Sequence, residues 1–585
     1  MLLSCFTASG NKRARISVIR FCIFISILIF AFQATGYLAV AYASTFSGSY
    51  LAAQHAASTK SFESAARYYN EVVEKITSSN PSYAKLLEQA MVYNTTAGNF
   101  EQASDIAQKL KSVGKDGELI NITLALGYIV NEDYPQALRN LYGNTTLAER
   151  NFLTNLIAAW IYYEMKHFTK AQNVLSLIEP NPAFGALVQY HKALILSLVG
   201  ETDQAEKIFQ QAIETQENSQ QLIRAYGQFL EKKGDIESAK RLYLEYMQKN
   251  PGNLLVSIKS NTLKNRVENE FFIQNGKRGI QEVFYNIAGI LSNDRNTDYA
   301  LVYTQLASYL QPFSPEILIL LGDIFDKYGR YHLAISAYEK VPQDSSLHEI
   351  AQFGKAIVLN KKNKTQKALT ILNAIIAQNK DSIHSWALKG EILRYESRFY
   401  EAIASYNNAI DLISDYRVSH WSLYYARGIS YERVNRWKYA QRDLEQALKL
   451  EPNGALILNY FGYSLLEKGL HMQRAYNMLK RAASLRPNDG FIIDSLGWAF
   501  YKLEDYKNAV KYLEKAIELS PEESVINEHL GDALWQTDRH REAEFQWGKA
   551  LSLTTGKQNK KLLIHKIRQG LDGDILAVKE ISAKP

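Results

Sequence analysis

Residues 421–452 read WSLYYARGISYERVNRWKYAQRDLEQALKLEP. Small and rigid residues punctuate the stretch: Gly428, then Ala440 and Ala447 with Leu444 between them, then Pro452. The same ledger returns three times. Gly462 leads to Ala475, Leu479, Ala482 and Pro487; Gly497 leads to Ala509, Leu513, Ala516 and Pro521; Gly531 leads to Ala543, Trp547 and Ala550. The four glycines stand 34, 35 and 34 residues apart. Two apolar-periodic stretches of about 12 residues fit inside each period, which predicts tandem pairs of antiparallel helices.

The spacing has a physical reading. The glycine falls where the first helix of a pair approaches the second. The first alanine falls on the second helix at that crossing, and the second alanine meets the next pair. Added bulk at these points overpacks the seam by roughly 1–3 kcal/mol per site. The large residue between the alanines fills the hole they leave. Proline then stops the second helix, because it cannot continue the hydrogen-bond ladder.

The pattern resembles the tetratricopeptide repeat (TPR). In the unit from Trp421, the residues Tyr424, Gly428, Tyr431, Trp437, Ala440, Leu444, Ala447 and Pro452 fall at the positions that family uses. Arg427 departs from it, since that slot is usually leucine. Weaker copies run backward: Gly390–Ala402–Tyr406–Ala409, Gly354–Ala368, Gly322–Ala334–Tyr338, Gly289–Ala300–Ala307 and Gly227–Ala239–Pro251. Ala193–Ala205–Phe209–Ala212 and Ala159–Ala171–Leu175 replace the glycine, and Gly127–Ala137, Met91–Ala103 and Ala53–Ala65–Tyr69 are degenerate. The resemblance implies an all-α fold: a right-handed superhelical TPR solenoid of antiparallel helix pairs, about fourteen repeats, with a C-terminal capping helix.

The expected organisation is an N-terminal degenerate lobe over 46–252, an irregular seam over 253–281, a second lobe over 282–557, and a capping helix and tail over 558–585. The seam holds no unit and carries Lys259, Lys264, Arg266, Lys277 and Arg278. Asn275-Gly276 signals a turn, and Ile280, Val283, Phe284, Ile287 and Ile290 follow at helical spacing. Residues 1–43 read as targeting. Lys12, Arg13, Arg15 and Arg20 precede the apolar run Phe21–Ala34, and Ala41-Tyr42-Ala43 offers a small-x-small cleavage site. The run is short for a membrane span, so a cleaved export signal is expected. The alternative is an uncleaved N-terminal anchor facing the periplasm.

Both cysteines, Cys5 and Cys22, lie in that segment, so the exported chain would hold no disulfide and no thiolate metal site. Neither cysteine sits in a lipobox. Removing the four basic residues of the segment from 67, against 60 acidic residues, leaves a net charge of +3. That small excess is dispersed, and no nucleic-acid-reading motif accompanies it. Chemistry is sparse. His348-Glu349-Ile350-Ala351-Gln352 starts like a zinc-protease helix, but Gln352 replaces the second histidine. There is no phosphate loop and no nucleophile elbow. The reading is therefore not an enzyme, with no catalytic, cofactor or metal residues and no cofactor.

Binding is the expected function. The TPR resemblance implies that the first helices line a concave face, with positions −3, +1 and +4 from each glycine looking inward. This gives Tyr425, Glu432, Asn459, Tyr463, Asp494, Trp498, Tyr501, Glu528, Asp532 and Trp535. Aromatics interleaved with acids suit an extended or helical peptide of basic or apolar character. Packing between repeats is the competing role for the aromatics. The lysine–asparagine set of TPR cochaperones that grip a carboxylate is missing, since only Asn459 fits it.

The blocks Asn459–Leu465, Asp494–Ala499 and His529–Trp535 also resemble the last repeats of bacterial envelope TPR proteins, including lipoproteins that hold a periplasmic carboxyl-terminal-processing protease. The missing lipobox departs from those. The implied function is a periplasmic protein-binding scaffold whose partners include such a protease or its substrates. The alternative is a structural subunit of an envelope assembly such as a polysaccharide export or synthesis complex.

Overall fold

The computed structural model describes residues 45–143, 151–178, 185–215, 219–250, 273–293, 297–413 and 420–571. Among them the chain forms 29 helices and no strand. The expected export segment, residues 251–272 of the expected seam and the tail from 572 lie outside the described residues. The helices gather into two compact units, Met1–Ile371 and Leu372–Pro585, each a row of antiparallel helix pairs.

Helix formation follows the local sequence. The first helix of a pair is apolar nearly all round, because it lies between its partner and the next pair. In the helix Gly490–Lys502 every residue from Ile492 to Ala499 is buried. The second helix is amphipathic and buries one stripe: Ala509, Val510, Leu513 and Ala516 in Tyr506–Leu519. Side-chain caps start both kinds. Asp489 accepts from the backbone N–H groups of Phe491 and Ile492 at 3.2 and 3.3 Å, and Asp505 accepts from Asn508 at 3.2 Å. The turn between the helices uses a left-handed residue, and the turn of Gly469 and His471 uses two. Lys60, Glu132, Lys166, Asn363, Ser397, Asn435, His471, Glu504 and Asp538 all take positive φ there.

The repeat glycine is a notch roofed by the large residue of the second helix. A Cβ on Gly497 would lie 2.7 Å from Leu513 Cγ, and one on Gly531 would lie 2.5 Å from Trp547. On Gly462 and Gly428 the nearest atoms would be Leu479 and Leu444, at 3.0 and 3.1 Å. In Gly390 the roof is Tyr406, at 2.7 Å. The clash is chiefly with this side chain, while the backbone of the second helix is a few tenths of an ångström farther. Gly289 does not follow the expectation: its nearest neighbour would be Gln221 Nε2 at 3.9 Å, so no crossing requires it. Gly354 is packed against Tyr338, on the second helix of the preceding pair.

Arg427, the departure from leucine, has a partner on the second helix. Its Nε donates to Asp443 Oδ2 at 2.6 Å and its Nη2 to Asp443 Oδ1 at 3.0 Å. Nη1 donates to Asn407 Oδ1 at 2.8 Å, reaching the preceding pair. The fork thus replaces an apolar contact with a buried, bidentate one.

The last helix, Lys557–Gln569, caps the second unit. Its Leu563 is fully buried against the core of the final pair, and Gly570 closes over Trp535. An open end of a stacked array needs such a cover for its last apolar surface.

Candidate functional site

The first helices of the N-terminal unit include Tyr83–Thr96, Glu118–Val130, Phe152–Glu164 and Gly185–Val199. Their shared face is covered by the chain itself. The pair Gly276–Asn293 and Thr297–Leu310 packs against all four. Phe100 stacks on Tyr309 at 3.5 Å, and Gln305 Nε2 donates to the carbonyl of Thr96 at 3.1 Å. Lys277 Nζ donates to the carbonyl of Val130 at 3.1 Å and pairs with Glu132 at 2.9 Å. Gly279 fits under the indole of Trp160. Residues 273–281 of the expected seam thus enter the core of this unit.

A buried polar cluster locks the cover. Tyr190 donates to Glu282 Oε1 at 2.8 Å, Asn286 donates to the same oxygen at 3.2 Å, and Arg224 lies 4.0 Å from Glu282. Burial raises the pKa of Glu282, against the pull of Arg224. At the other end Lys60 pairs with Asp298 at 2.6 Å, and Phe62 meets Tyr328 edge-on at 5.3 Å. The chain's own helices thus pack over this face.

The C-terminal unit differs. Its first helices are Ile383–Tyr395, Trp421–Arg433, Ala455–Glu467, Gly490–Lys502 and Ser524–Trp535. The predicted residues divide into two sets. Asp494 and Trp498 are buried between successive first helices, and Asp532 is buried against the second helix of its own pair and the last helix. Trp498 lies between Tyr501, stacked at 4.5 Å, and His529, stacked at 4.0 Å. Its Nε1 donates to Glu467 Oε1 at 2.7 Å. Asp494 holds His529 Nδ1 at 2.9 Å. Burial alone would lower the pKa of His529; the charge and hydrogen bond of Asp494 outweigh it and raise the value. Asp532 accepts from Trp547 Nε1 at 2.9 Å and binds Lys566 at 2.8 Å, while Glu528 binds Lys566 at 2.7 Å.

Tyr425, Glu432, Asn459, Tyr463, Tyr501, Glu528 and Trp535 are half-buried. Tyr425 sits between Trp421 and Tyr460, each 5.8 Å away. Tyr460 donates to Glu432 Oε2 at 3.4 Å, and Lys468 lies 3.6 Å from Glu432. Asn459 keeps a buried Oδ1 with no hydrogen-bond partner. Trp535 packs on His540 and Trp547 at 4.1 and 5.4 Å.

The cations that answer the acids were not foreseen: His529, Lys566, Lys468, and Lys502, which lies 3.5 Å from Glu467. Tyr460 and Tyr395 were also missed. Tyr395 ends its helix 67% exposed, with the Arg394 guanidinium 4.4 Å above its ring. Among the described residues no group of three His, Cys, Asp or Glu could hold a metal ion, and no helix is long and apolar enough to cross a membrane.

Profiles of the tetratricopeptide repeat match residues 495–554 and 186–219. The first match runs from within the helix Gly490–Lys502 through the helix His540–Leu553 and includes the notches at Gly497 and Gly531. The chain thus carries tetratricopeptide repeats in those two segments. A TPR repeat-containing protein of Pseudomonas aeruginosa is 31% identical over 91 residues, 16% of this chain and 15% of its own length. A TPR repeat-containing protein of Methanocaldococcus jannaschii is 24% identical over 270 residues, 40% of this chain and 47% of its own. The chain therefore spans less than half the length of either relative. Among solved structures it is similar to the Cut9–Hcn1 hetero-tetramer of the APC/C (15% identity, 92% of this chain and 98% of that one, TM-score 0.38). It is also similar to a tetratricopeptide repeat protein from Parabacteroides merdae (16% identity, 44% and 99%, TM-score 0.37). At these scores the likeness adds nothing to the fold already described. Tetratricopeptide repeats build protein–protein interaction scaffolds that bind other proteins or peptides.

Proposed function

We propose that this TPR protein is a non-catalytic scaffold of the bacterial cell envelope, exported to the periplasm, that gathers partner proteins on the first-helix face of its C-terminal unit. One contrast carries the reading. The N-terminal face is covered by the chain's own helices, whereas Tyr425, Tyr463 and Tyr501 remain half-exposed on the C-terminal one. The export reading rests on the basic and apolar segment at 1–43. The likeness of the last repeats to envelope TPR proteins favours a periplasmic protease or its substrates as partners.

The test places a photo-crosslinking phenylalanine at Tyr463 of the full chain, and in a second variant at Tyr439, an exposed residue of a second helix. Discrete adducts with a protein from position 463 and none from 439 are expected. Equal labelling from both, or none from 463, refutes the face. Fusing residues 1–50 to a reporter active only outside the cytoplasm tests export separately; a silent fusion refutes it.

A further inference from the structure

Tyrosines run along four successive first helices of the C-terminal unit: Tyr395, Tyr425, Tyr460 with Tyr463, and Tyr501. The rings of Tyr425 and Tyr460 touch, and the phenol of Tyr425 lies within the electrostatic reach of Tyr395 and Arg394. That of Tyr463 feels Glu467, Asp494 and Glu528.

We infer that this tyrosine-lined face takes a proline-rich segment of low net charge, in the extended polyproline II form. The inference rests on the scaffold reading above and names the chemistry of its partner.

Charge argues first. The acids of the face already hold cations of their own chain: Glu432 with Lys468, Glu467 with Lys502, Asp494 with His529, and Glu528 and Asp532 with Lys566. A lysine-rich partner would have to displace them. An acidic partner would meet carboxylates.

Hydrogen bonding argues second. The hydroxyls of Tyr425 and Tyr463 have no hydrogen-bond partner among the described residues, and burial raises the pKa of both phenols, in Tyr425 against the pull of Arg394. They are spare donors. A polyproline II chain offers bare carbonyls as acceptors, and its prolines bring no N–H that would be left unsatisfied. Its flat rings pack on aromatic faces, and its order is largely present before binding.

Register argues third. The helix Gly490–Lys502 touches both Ala455–Glu467 and Ser524–Trp535 directly. Directly packed helices lie roughly 8–10 Å apart. One polyproline II turn of three residues advances about 9 Å. A proline at every third residue therefore meets one repeat after another.

The test is calorimetric titration of the full chain with four synthetic 12-residue peptides. One carries proline at every third position with serine and alanine between. The others replace its prolines by alanine, lysine or glutamate. The proline peptide should bind at least tenfold tighter than the other three. Tyr425→Phe and Tyr463→Phe keep the ring and the packing, and each should weaken binding about fivefold, the scale of one neutral hydrogen bond. Tyr395→Ala, at an exposed position that cannot disturb the core, should weaken it as well. Equal or tighter binding of any other peptide, no binding of any peptide, or indifference to all three variants overturns the inference. An adduct from position 463 to a partner segment without proline also overturns it, yet leaves the scaffold reading standing.

Discussion

Replacing Arg427 by leucine restores the residue usual at that slot, and it should nonetheless destabilise the protein. Arg427 and Asp443 are a buried pair, with side chains 8% and 1% exposed, joined by two hydrogen bonds. Leucine would leave the carboxylate of Asp443 in the seam with only Arg442 near it. That guanidinium is 3.3 Å away but 62% exposed, so it is a weak substitute. Removing one member of a buried pair costs roughly 3–5 kcal/mol, and the partial help of Arg442 puts this case at the lower end. Removing both members is different, because Arg427→Leu with Asp443→Leu leaves no buried charge and should return to within about 1 kcal/mol of wild type. Asn407, half-exposed, can turn to water. A repeat array loses stability locally, so the assay is native-state hydrogen exchange of the helices Trp421–Arg433 and Trp437–Leu450. A loss of about 3 kcal/mol speeds their exchange roughly a hundredfold. If the single variant costs under about 1 kcal/mol, or the double variant is no better than the single, the pair does not hold the repeat and the reasoning fails.

Three other outcomes follow from the same structure. Gly497→Ala should cost roughly 1–3 kcal/mol by pushing on Leu513, whereas Gly127→Ala, with nothing within 4 Å, should gain about 0.5–1 kcal/mol of helix propensity; thermal melts that rank the two the other way contradict the notch. Because His529 titrates at a higher pH folded than unfolded, its pair with Asp494 is fully stabilising below pH 6.5, its ordinary value, and is lost as pH rises through the folded value. The last repeats should then lose stability as pH rises above 6.5, by at most about 1.4 kcal/mol per pH unit, and His529→Gln should flatten that slope in denaturant titrations. Glu504→Gly relieves a left-handed residue at φ 63° on an exposed turn and should stabilise by roughly 0.5–1 kcal/mol; a drop in melting temperature would contradict it.

The repeat was legible because its small residues answer to a single contact that recurs. Gly497, Ala509, Leu513 and Ala516 meet within one helix pair, so their spacing is local and visible. The capping helix was legible for a similar reason: Leu562, Leu563 and Ile567 repeat at helical spacing beside an open end. What Lys566 does was not. It answers Glu528 and Asp532 from 38 and 34 residues away, and the tail carries no repeat mark to set its register. The inward positions also hid a distinction. First helices touch one another, so a residue counted as facing a groove can face the next helix instead, as Trp498 does. Variants such as Trp498→Ala therefore probe the stacking of repeats, whereas Tyr425 and Tyr463 probe the open face.

The covered face of the N-terminal unit did have a sign in the sequence. Phe152–Glu164 reads Phe-Leu-Thr-Asn-Leu-Ile-Ala-Ala-Trp-Ile-Tyr-Tyr-Glu, and every residue from Leu153 to Ile161 is buried. Glu118–Val130 is similar, buried from Ile120 to Leu126. A helix apolar on every side needs cover on every side, and its own repeat supplies only part of it. The helices Gly276–Asn293 and Thr297–Leu310 supply the rest. In the C-terminal unit the corresponding positions carry tyrosines and paired charges, which tolerate water on one flank. The same face is thus an internal surface in one unit and half-exposed in the other. A polar substitution on the first, such as Phe284→Gln at a fully buried site, should unfold its unit before it touches any partner. The mirror result, a stable unit with lost partner capture, would move the recognition face to the N-terminal repeats.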